Sequence, residues 1–158
     1  MMATILKTIA KFMTLAFDKI SPDILSEYNL SRPVERTDNV CHAPFKTLLF
    51  VPSGKAMACH YNRGLVLGQY PENSIKDIWF GEKISKLRNF INHKDLSYGC
   101  QNCKSDLHNR QFHLAGCWRH DYLGEPDNNY PILIDLQIDN TCNLECVMCS
   151  GEYSSLIR

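Results

Sequence analysis

The chain has 158 residues, of which 44% are hydrophobic and 22% charged, and its formal net charge is zero. This composition is that of a globular protein with apolar material for about one domain. The balanced charge gives no electrostatic reason to expect nucleic acid as a partner. The apolar run at residues 3–20 is interrupted by Lys7 and Lys11, so we predict neither a secretory signal nor a transmembrane segment, and a cytoplasmic protein.

Eight cysteines are the unusual feature of the composition. An even number of cysteines can form a disulfide framework, but that interpretation requires an oxidising compartment. In a reducing cytoplasm, closely spaced cysteines are more often metal ligands. We therefore interpret them as metal ligands.

The first forty residues contain one amphipathic pattern. Apolar side chains recur at helical spacing over residues 3–20, which predicts a helix. We expect it to lie on the protein body, and a helix that binds a membrane surface or a partner is the alternative. Pro22 ends this pattern. Residues 21–39 are polar, and we predict an irregular connector there.

A β-hairpin is predicted next in the chain. Residues 45–51 are rich in strand formers, residues 52–54 (Pro-Ser-Gly) form a turn signal, and residues 55–60 continue as a second strand. Cys41 and Cys59 lie near the open ends of this hairpin. The turn therefore brings these two cysteines close together.

Two helices and two more cysteine positions follow the hairpin. Ser74 is a suitable N-cap for a helix with Ile75, Ile78 and Trp79 on one face. A second apolar stripe begins after Gly81 and comprises Ile84, Leu87 and Ile91, together with Phe80 before the glycine. We predict that Cys100 and Cys103 lie in a loop, followed by a polar stretch to Cys117.

Three cysteines near the C-terminus form the clearest motif. A linker at residues 126–129 precedes a predicted strand at residues 132–138, and Cys142, Cys146 and Cys149 lie in the loop beyond it. Residues 154–158 could begin a helix. A structural zinc site closes with four protein ligands, whereas a cubane cluster held by three cysteines leaves one iron open for another molecule. Three local thiolates favour the open cluster, with a zinc or disulfide cluster as the alternative.

The segment from Cys142 to Cys149 resembles the CxxxCxxC signature of the radical S-adenosylmethionine superfamily. In that superfamily the three cysteines bind a 4Fe–4S cluster whose open iron takes S-adenosylmethionine for reductive cleavage to a 5′-deoxyadenosyl radical. The resemblance implies that Cys142, Cys146 and Cys149 are cluster ligands. Met148 stands where the family commonly has an aromatic residue, and it could fill the same apolar contact beside the adenine.

The earlier cysteines resemble a second pattern of the same superfamily. Cys41, twelve residues, Gly54, four residues and Cys59 match the spacing of its auxiliary-cluster domains, called SPASM and, in the shorter form, twitch. Cys100 and Cys103 would complete the set. The resemblance implies that these four cysteines hold one auxiliary 4Fe–4S cluster, and structural zinc is the alternative.

Three other residues lie near these cysteines in the sequence. Cys117 is left over from the four-cysteine set, and it could replace a ligand or be a buried structural thiol. His42 and His60 each follow a hairpin cysteine. They could bind a cluster or donate to its sulfurs, but we favour surface or second-shell positions for both.

These patterns predict an α+β fold in three parts. Residues 1–40 form the helix and connector, and residues 41–125 form a small cysteine-rich domain of a β-hairpin and helices. The resemblance implies that residues 126–158 are the first βα unit of an incomplete α/β radical S-adenosylmethionine barrel. Because such a barrel needs about 200 residues or more, we expect a truncated gene product or partial record that is inactive alone.

The resemblance implies an enzyme, a radical S-adenosylmethionine oxidoreductase or peptide-modifying enzyme. Its cofactors would be S-adenosylmethionine and one 4Fe–4S cluster, with a second at the auxiliary site. Its partners would be a peptide or protein substrate and an electron donor such as flavodoxin or ferredoxin. The alternatives are a non-catalytic iron–sulfur or electron-transfer module and a zinc-stabilised interaction domain.

Overall fold

A computed structural model gives the fold of residues 19–33, 39–123, 130–139, 141–142, 146–147, 149–151 and 154–157. The helix predicted at residues 3–20 lies outside these described residues, apart from its last two positions. Within the described ranges, no helix is both long and apolar enough to cross a membrane.

Helices and one small sheet make up the described part of the chain, so the predicted α+β class is confirmed. The helices are α1 (Pro22–Ser31), α2 (Ala43–Lys46), α3 (Ile75–Trp79), α4 (Glu82–Asn92), α5 (Gln101–His108) and a 3₁₀ helix (Gly116–Leu123). The strands are β1 (Thr47–Phe50), β2 (Lys55–Met57), β3 (Gly68–Gln69) and β4 (Leu133–Leu136).

The predicted hairpin is present as strands β1 and β2, which pair antiparallel. Its turn depends on Gly54, whose φ of +81° is a left-handed conformation that glycine adopts readily. A side chain at Gly54 would also collide with the backbone oxygen of Tyr70. Both strands are shorter than predicted, and β3 adds a third strand that the sequence did not predict. All four residues of β1 are buried, which places the sheet centre in the core.

The strand predicted near residue 132 is also present, as β4. It pairs in parallel with β1, with Thr47 opposite Leu133 and Phe50 opposite Leu136, giving the sheet order β3-β2-β1-β4. Within the described residues, β4 therefore joins the hairpin sheet, and no barrel is present. Its side chains are mostly exposed. The predicted division of the chain at residues 40 and 125 stays a prediction.

The prediction of an irregular connector at residues 21–39 is wrong for its first half, which forms helix α1. Pro22 stands in the first turn of α1, where its missing N–H costs nothing. Ile24 and Tyr28, one turn apart, are buried in the core that also contains the cysteines. At the end of α1, Arg32 Nε donates to Asp121 Oδ2 at 2.8 Å, which ties the helix to the 3₁₀ helix.

The two helices predicted after the hairpin are confirmed as α3 and α4. Ser74 caps α3 through a capping box, in which its hydroxyl accepts from the Asp77 N–H at 3.1 Å. In α4 the residues Ile84, Leu87 and Ile91 face the core, whereas Phe80 before it is 48% exposed. Residues 154–157 form a turn, not the start of a helix.

The loop predicted around Cys100 and Cys103 is instead the start of helix α5. Cys100 is the N-cap of α5 and Cys103 lies in its first turn. Because residues three apart on a helix share a face, both side chains turn toward the core. The predicted polar stretch before Cys117 contains the rest of α5 and leads into the 3₁₀ helix that carries this cysteine.

Candidate metal centre

Five cysteines line one cavity at the open end of the hairpin. Its sulfur-bearing residues come from four separate places in the chain: the segment just before α2, the end of the hairpin, the start of helix α5 and the 3₁₀ helix. They are Cys41, Cys59, Cys100, Cys103 and Cys117. The structure thus brings the four predicted auxiliary-site cysteines together and adds Cys117.

Backbone amides point at the two hairpin sulfurs. The Cys41 sulfur accepts from the Ala43 N–H, and the Cys59 sulfur accepts from the N–H groups of Tyr61 and Asn62. These donors are available because the chain turns sharply after each cysteine, into α2 in the first case and into a turn in the second. Such turns orient successive N–H groups toward one acceptor.

The two α5 sulfurs receive hydrogen bonds of different origin. Asn62 Nδ2 donates to Cys100 Sγ at 3.1 Å, which is a side-chain contact across the cavity wall. The Cys103 sulfur accepts from the backbone N–H groups of Gly116 and Cys117 and from the Cys117 thiol. All four predicted ligand sulfurs therefore face at least one donor.

The thiol pKa values follow from burial and these contacts. Burial raises the pKa of Cys59 to about 12 and that of Cys100 to about 11, and it raises the pKa of Cys41 well above the usual value. By contrast, the hydrogen bond from Cys117 lowers the pKa of Cys103, and the same bond raises the pKa of Cys117. Within this pair, Cys117 is thus the donor and Cys103 the acceptor.

The donor set fits an iron–sulfur cluster. Cubane clusters are bound by four cysteine thiolates, and hydrogen bonds to their sulfurs stabilise the charge. Among the described residues, no three Cys, His, Asp or Glu side chains are close enough to hold a single metal ion. A cubane does not require that arrangement, because each thiolate binds a different iron and the four sulfurs stay apart around the cluster.

Neither histidine beside the hairpin cysteines lines the cavity. His42 is buried, 1% exposed, at the N-cap of α2. His60 is on the surface, where its Nε2 lies 2.6 Å from Asp135 Oδ2 on β4. Arg63 contacts the other ring nitrogen of His60 at 3.1 Å. The pair formed by His60 and Asp135 therefore joins the hairpin to β4.

The three C-terminal cysteines follow β4, and the structure describes them in part. Cys142 and Cys149 are half-buried and Cys146 is exposed. The Cys149 N–H donates to the Cys146 carbonyl at 2.9 Å. The Cys142 N–H lies 3.4 Å from Ser155 Oγ. Met148 and residues 143–145 lie outside the described residues.

Sequence analysis left the role of one member of the cavity wall open and missed another. Cys117 was expected either to replace a ligand or to be a buried structural thiol, because its spacing fits no motif. The structure places it in the cavity wall, 1% exposed, where the 3₁₀ helix packs on α5. Asn62 was not singled out at all. A single sequence carries no local signal for it, because its side-chain contact with Cys100 joins residues 38 positions apart.

Comparison with known proteins bears on the same segment. Residues 41–104 match the family model of the SPASM iron–sulfur cluster-binding domain. The matched segment contains Cys41, Cys59, Cys100 and Cys103, and Cys117 lies beyond its end. SPASM domains are typical of radical S-adenosylmethionine enzymes, and the match suggests iron–sulfur cluster binding. No curated protein and no solved structure gave a significant match.

Proposed function

We propose that Cys41, Cys59, Cys100 and Cys103 hold one auxiliary 4Fe–4S cluster. The observation that carries this proposal is the convergence of these four cysteines on one cavity, inside the segment that matches the SPASM model. Their sulfurs already face hydrogen-bond donors, which a set of buried thiolates needs to be stable.

Cys103 and not Cys117 is the fourth ligand in this proposal. The Cys103 sulfur is the common acceptor of two backbone N–H groups and one thiol. Each thiolate of a cubane binds a separate iron, so two sulfurs in direct hydrogen-bonding contact do not occupy two corners. Cys117 therefore remains a thiol that donates to the ligand beside it.

We further propose that the chain belongs to a radical S-adenosylmethionine enzyme. Cys142, Cys146 and Cys149 would hold the second cluster, and Met148 would contact the adenine of S-adenosylmethionine. Support comes from the CxxxCxxC spacing directly after strand β4 and from the SPASM match, since that domain accompanies radical S-adenosylmethionine enzymes.

The remaining partners are proposals by analogy with that superfamily. The cofactor would be cleaved reductively, with an electron from a flavodoxin or ferredoxin, and the substrate would be a peptide or protein. Each of these steps requires a bound cluster. Metal content therefore comes first in the experimental test.

The test is anaerobic reconstitution of the chain with iron and sulfide, followed by metal and sulfide analysis. We expect about eight irons per chain, four for each cluster, and broad absorption near about 400 nm. Replacing Cys41 and Cys59 by alanine should remove about half of the iron, and replacing Cys142, Cys146 and Cys149 should remove the other half.

Single variants on the 3₁₀ helix and α5 assign the fourth ligand. Cys117→Ala is the matched control and should keep the full iron content, whereas Cys103→Ala should lose the auxiliary cluster. The reverse pattern of iron contents would make Cys117 the fourth cluster ligand. Stoichiometric zinc without iron, after anaerobic purification, would refute the iron–sulfur proposal and favour a zinc-stabilised domain.

A further inference from the structure

Asn62 is hydrogen-bonded to one cysteine from each half of the proposed ligand set. Its backbone N–H donates to the Cys59 carbonyl at 3.2 Å, and its side-chain Nδ2 donates to Cys100 Sγ at 3.1 Å. The residue is 1% exposed, so water does not compete for either donor. Asn62 is thus a direct link between the hairpin half and the α5 half of the cavity.

The surrounding backbone fixes the position of Asn62. Its N–H lies 3.2 Å from the Cys59 carbonyl, and its own carbonyl accepts from the Leu65 N–H at 3.1 Å, which closes a tight turn. Gly99, directly before Cys100, has a φ of +83°. A Cβ at Gly99 would lie 3.0 Å from Asn62 Nδ2 and 2.9 Å from the Leu65 Cβ. Glycine at this position therefore leaves room for the amide beside Cys100.

The amide oxygen of Asn62 indicates that this side chain does more than fill space in the core. Asn62 Oδ1 is buried and has no hydrogen-bond partner among the described residues. An unsatisfied buried acceptor lowers the stability of a fold, and an apolar side chain of similar size would avoid that loss. What an apolar side chain could not supply is the N–H directed at the Cys100 sulfur.

We infer that Asn62 is a positioning residue that raises the reduction potential of the auxiliary cluster by hydrogen bonding to Cys100 Sγ. This inference rests on the proposed auxiliary cluster. Reduction adds one electron to the cluster, which makes its thiolate ligands more negative. A buried donor stabilises the reduced form more than the oxidised form, so the potential rises. The cluster itself is held by its four cysteines and assembles without this hydrogen bond.

The experiment measures the auxiliary cluster alone, in the full chain with Cys142, Cys146 and Cys149 replaced by alanine. In this parent, Asn62→Leu keeps the approximate size and removes the donor. Asn62→Asp keeps the shape, removes the donor and adds a negative charge. Asn102→Leu makes the same chemical change on an exposed side chain of α5, between Cys100 and Cys103, and is the matched control. Midpoint potentials come from dithionite titration followed by electron paramagnetic resonance.

We expect both Asn62 variants to keep the iron content of the parent and to show a more negative midpoint potential, with the larger shift for Asn62→Asp. Asn102→Leu should match the parent. Unchanged potentials in both Asn62 variants would overturn the inference, and so would loss of iron from variants that stay folded by circular dichroism. A parent that binds no iron would instead refute the proposed cluster, which separates the two failures.

Discussion

The buried ion pair between Arg32 and Asp121 is the contact whose loss should most weaken the frame around the cysteine cavity. The side chains of both residues are at most 1% exposed. Arg32 donates through Nε at 2.8 Å and also through Nη2 to the same carboxylate, and its Nη1 donates to the Asn39 carbonyl at 2.7 Å. This pair holds the end of α1 against the 3₁₀ helix that carries Cys117.

Replacing Arg32 with methionine removes the guanidinium and leaves the Asp121 carboxylate buried without its partner. Breaking a buried pair in this way costs about 3–5 kcal/mol in the free energy of unfolding. For a chain of this length, at about 2–4 °C per kcal/mol, the melting temperature should fall by roughly 10 °C. Thermal unfolding followed by circular dichroism, under anaerobic reducing conditions, measures the change.

Two further variants separate this cause from a general effect of substitution. The double variant Arg32→Met with Asp121→Leu should recover much of the lost stability, because no unpaired charge remains buried. Arg110→Met is the matched control, since Arg110 also binds α1, through Glu27 at 2.7 Å, but on the exposed surface. It should change the melting temperature much less. If the double variant were less stable than Arg32→Met, the explanation by an uncompensated charge would be refuted.

Two other predictions concern the 3₁₀ helix. A Cβ at Gly116 would overlap the ring of Tyr61, so Gly116→Ala should lower the free energy of unfolding by about 1–3 kcal/mol in denaturant titration. Gly64→Ala should leave the free energy of unfolding unchanged, because no atom lies within 4 Å of its new Cβ. An equal loss of stability in both variants would contradict the steric explanation. Burial lowers the pKa of His120 below its usual 6.5. As the pH falls, the imidazole is therefore protonated in the unfolded chain before it is protonated in the folded one, and stability should decrease below about pH 6.5. His120→Gln should flatten this dependence between about pH 7 and 5.5, and an unchanged slope would exclude His120 as its source.

The elements that the sequence predicted correctly are those with local chemical signals. Gly54 supplies the left-handed residue that the hairpin turn requires, and the spacing of Cys41 and Cys59 about this turn places them at its open end. Ser74 and Asp77 form a capping box, which marks the start of α3. In each case the residues that determine the structure lie at most eighteen positions apart, so a single sequence is enough to show them.

The elements that were missed depend on contacts distant in sequence. Helix α1 buries only Ile24 and Tyr28, and its other residues are polar enough to be typical of a connector. The contact that ties the end of this helix to the fold is with Asp121, 89 positions along the chain. Likewise, the parallel pairing of β4 with β1 joins residues more than eighty positions apart, and no local pattern encodes it. Packing partners, and not helix or strand propensity, decide both cases.

The strand directions determine at which end of the sheet the chain leaves toward each set of cysteines. Cys41 precedes β1 and Cys59 follows β2, so both belong to the open end of the hairpin. Strand β4 runs parallel to β1, and the Gln137 N–H bonds the Phe50 carbonyl where β1 enters the turn. The chain therefore leaves the sheet toward Cys142 from the opposite end, one strand length, about 13 Å, from the open end at roughly 3.3 Å per residue. Changes more than about 7–10 Å apart with no shared partners usually act additively. The triple alanine variant at Cys142, Cys146 and Cys149 is thus expected to leave the auxiliary site unchanged, which makes it a suitable parent for the Asn62 titration.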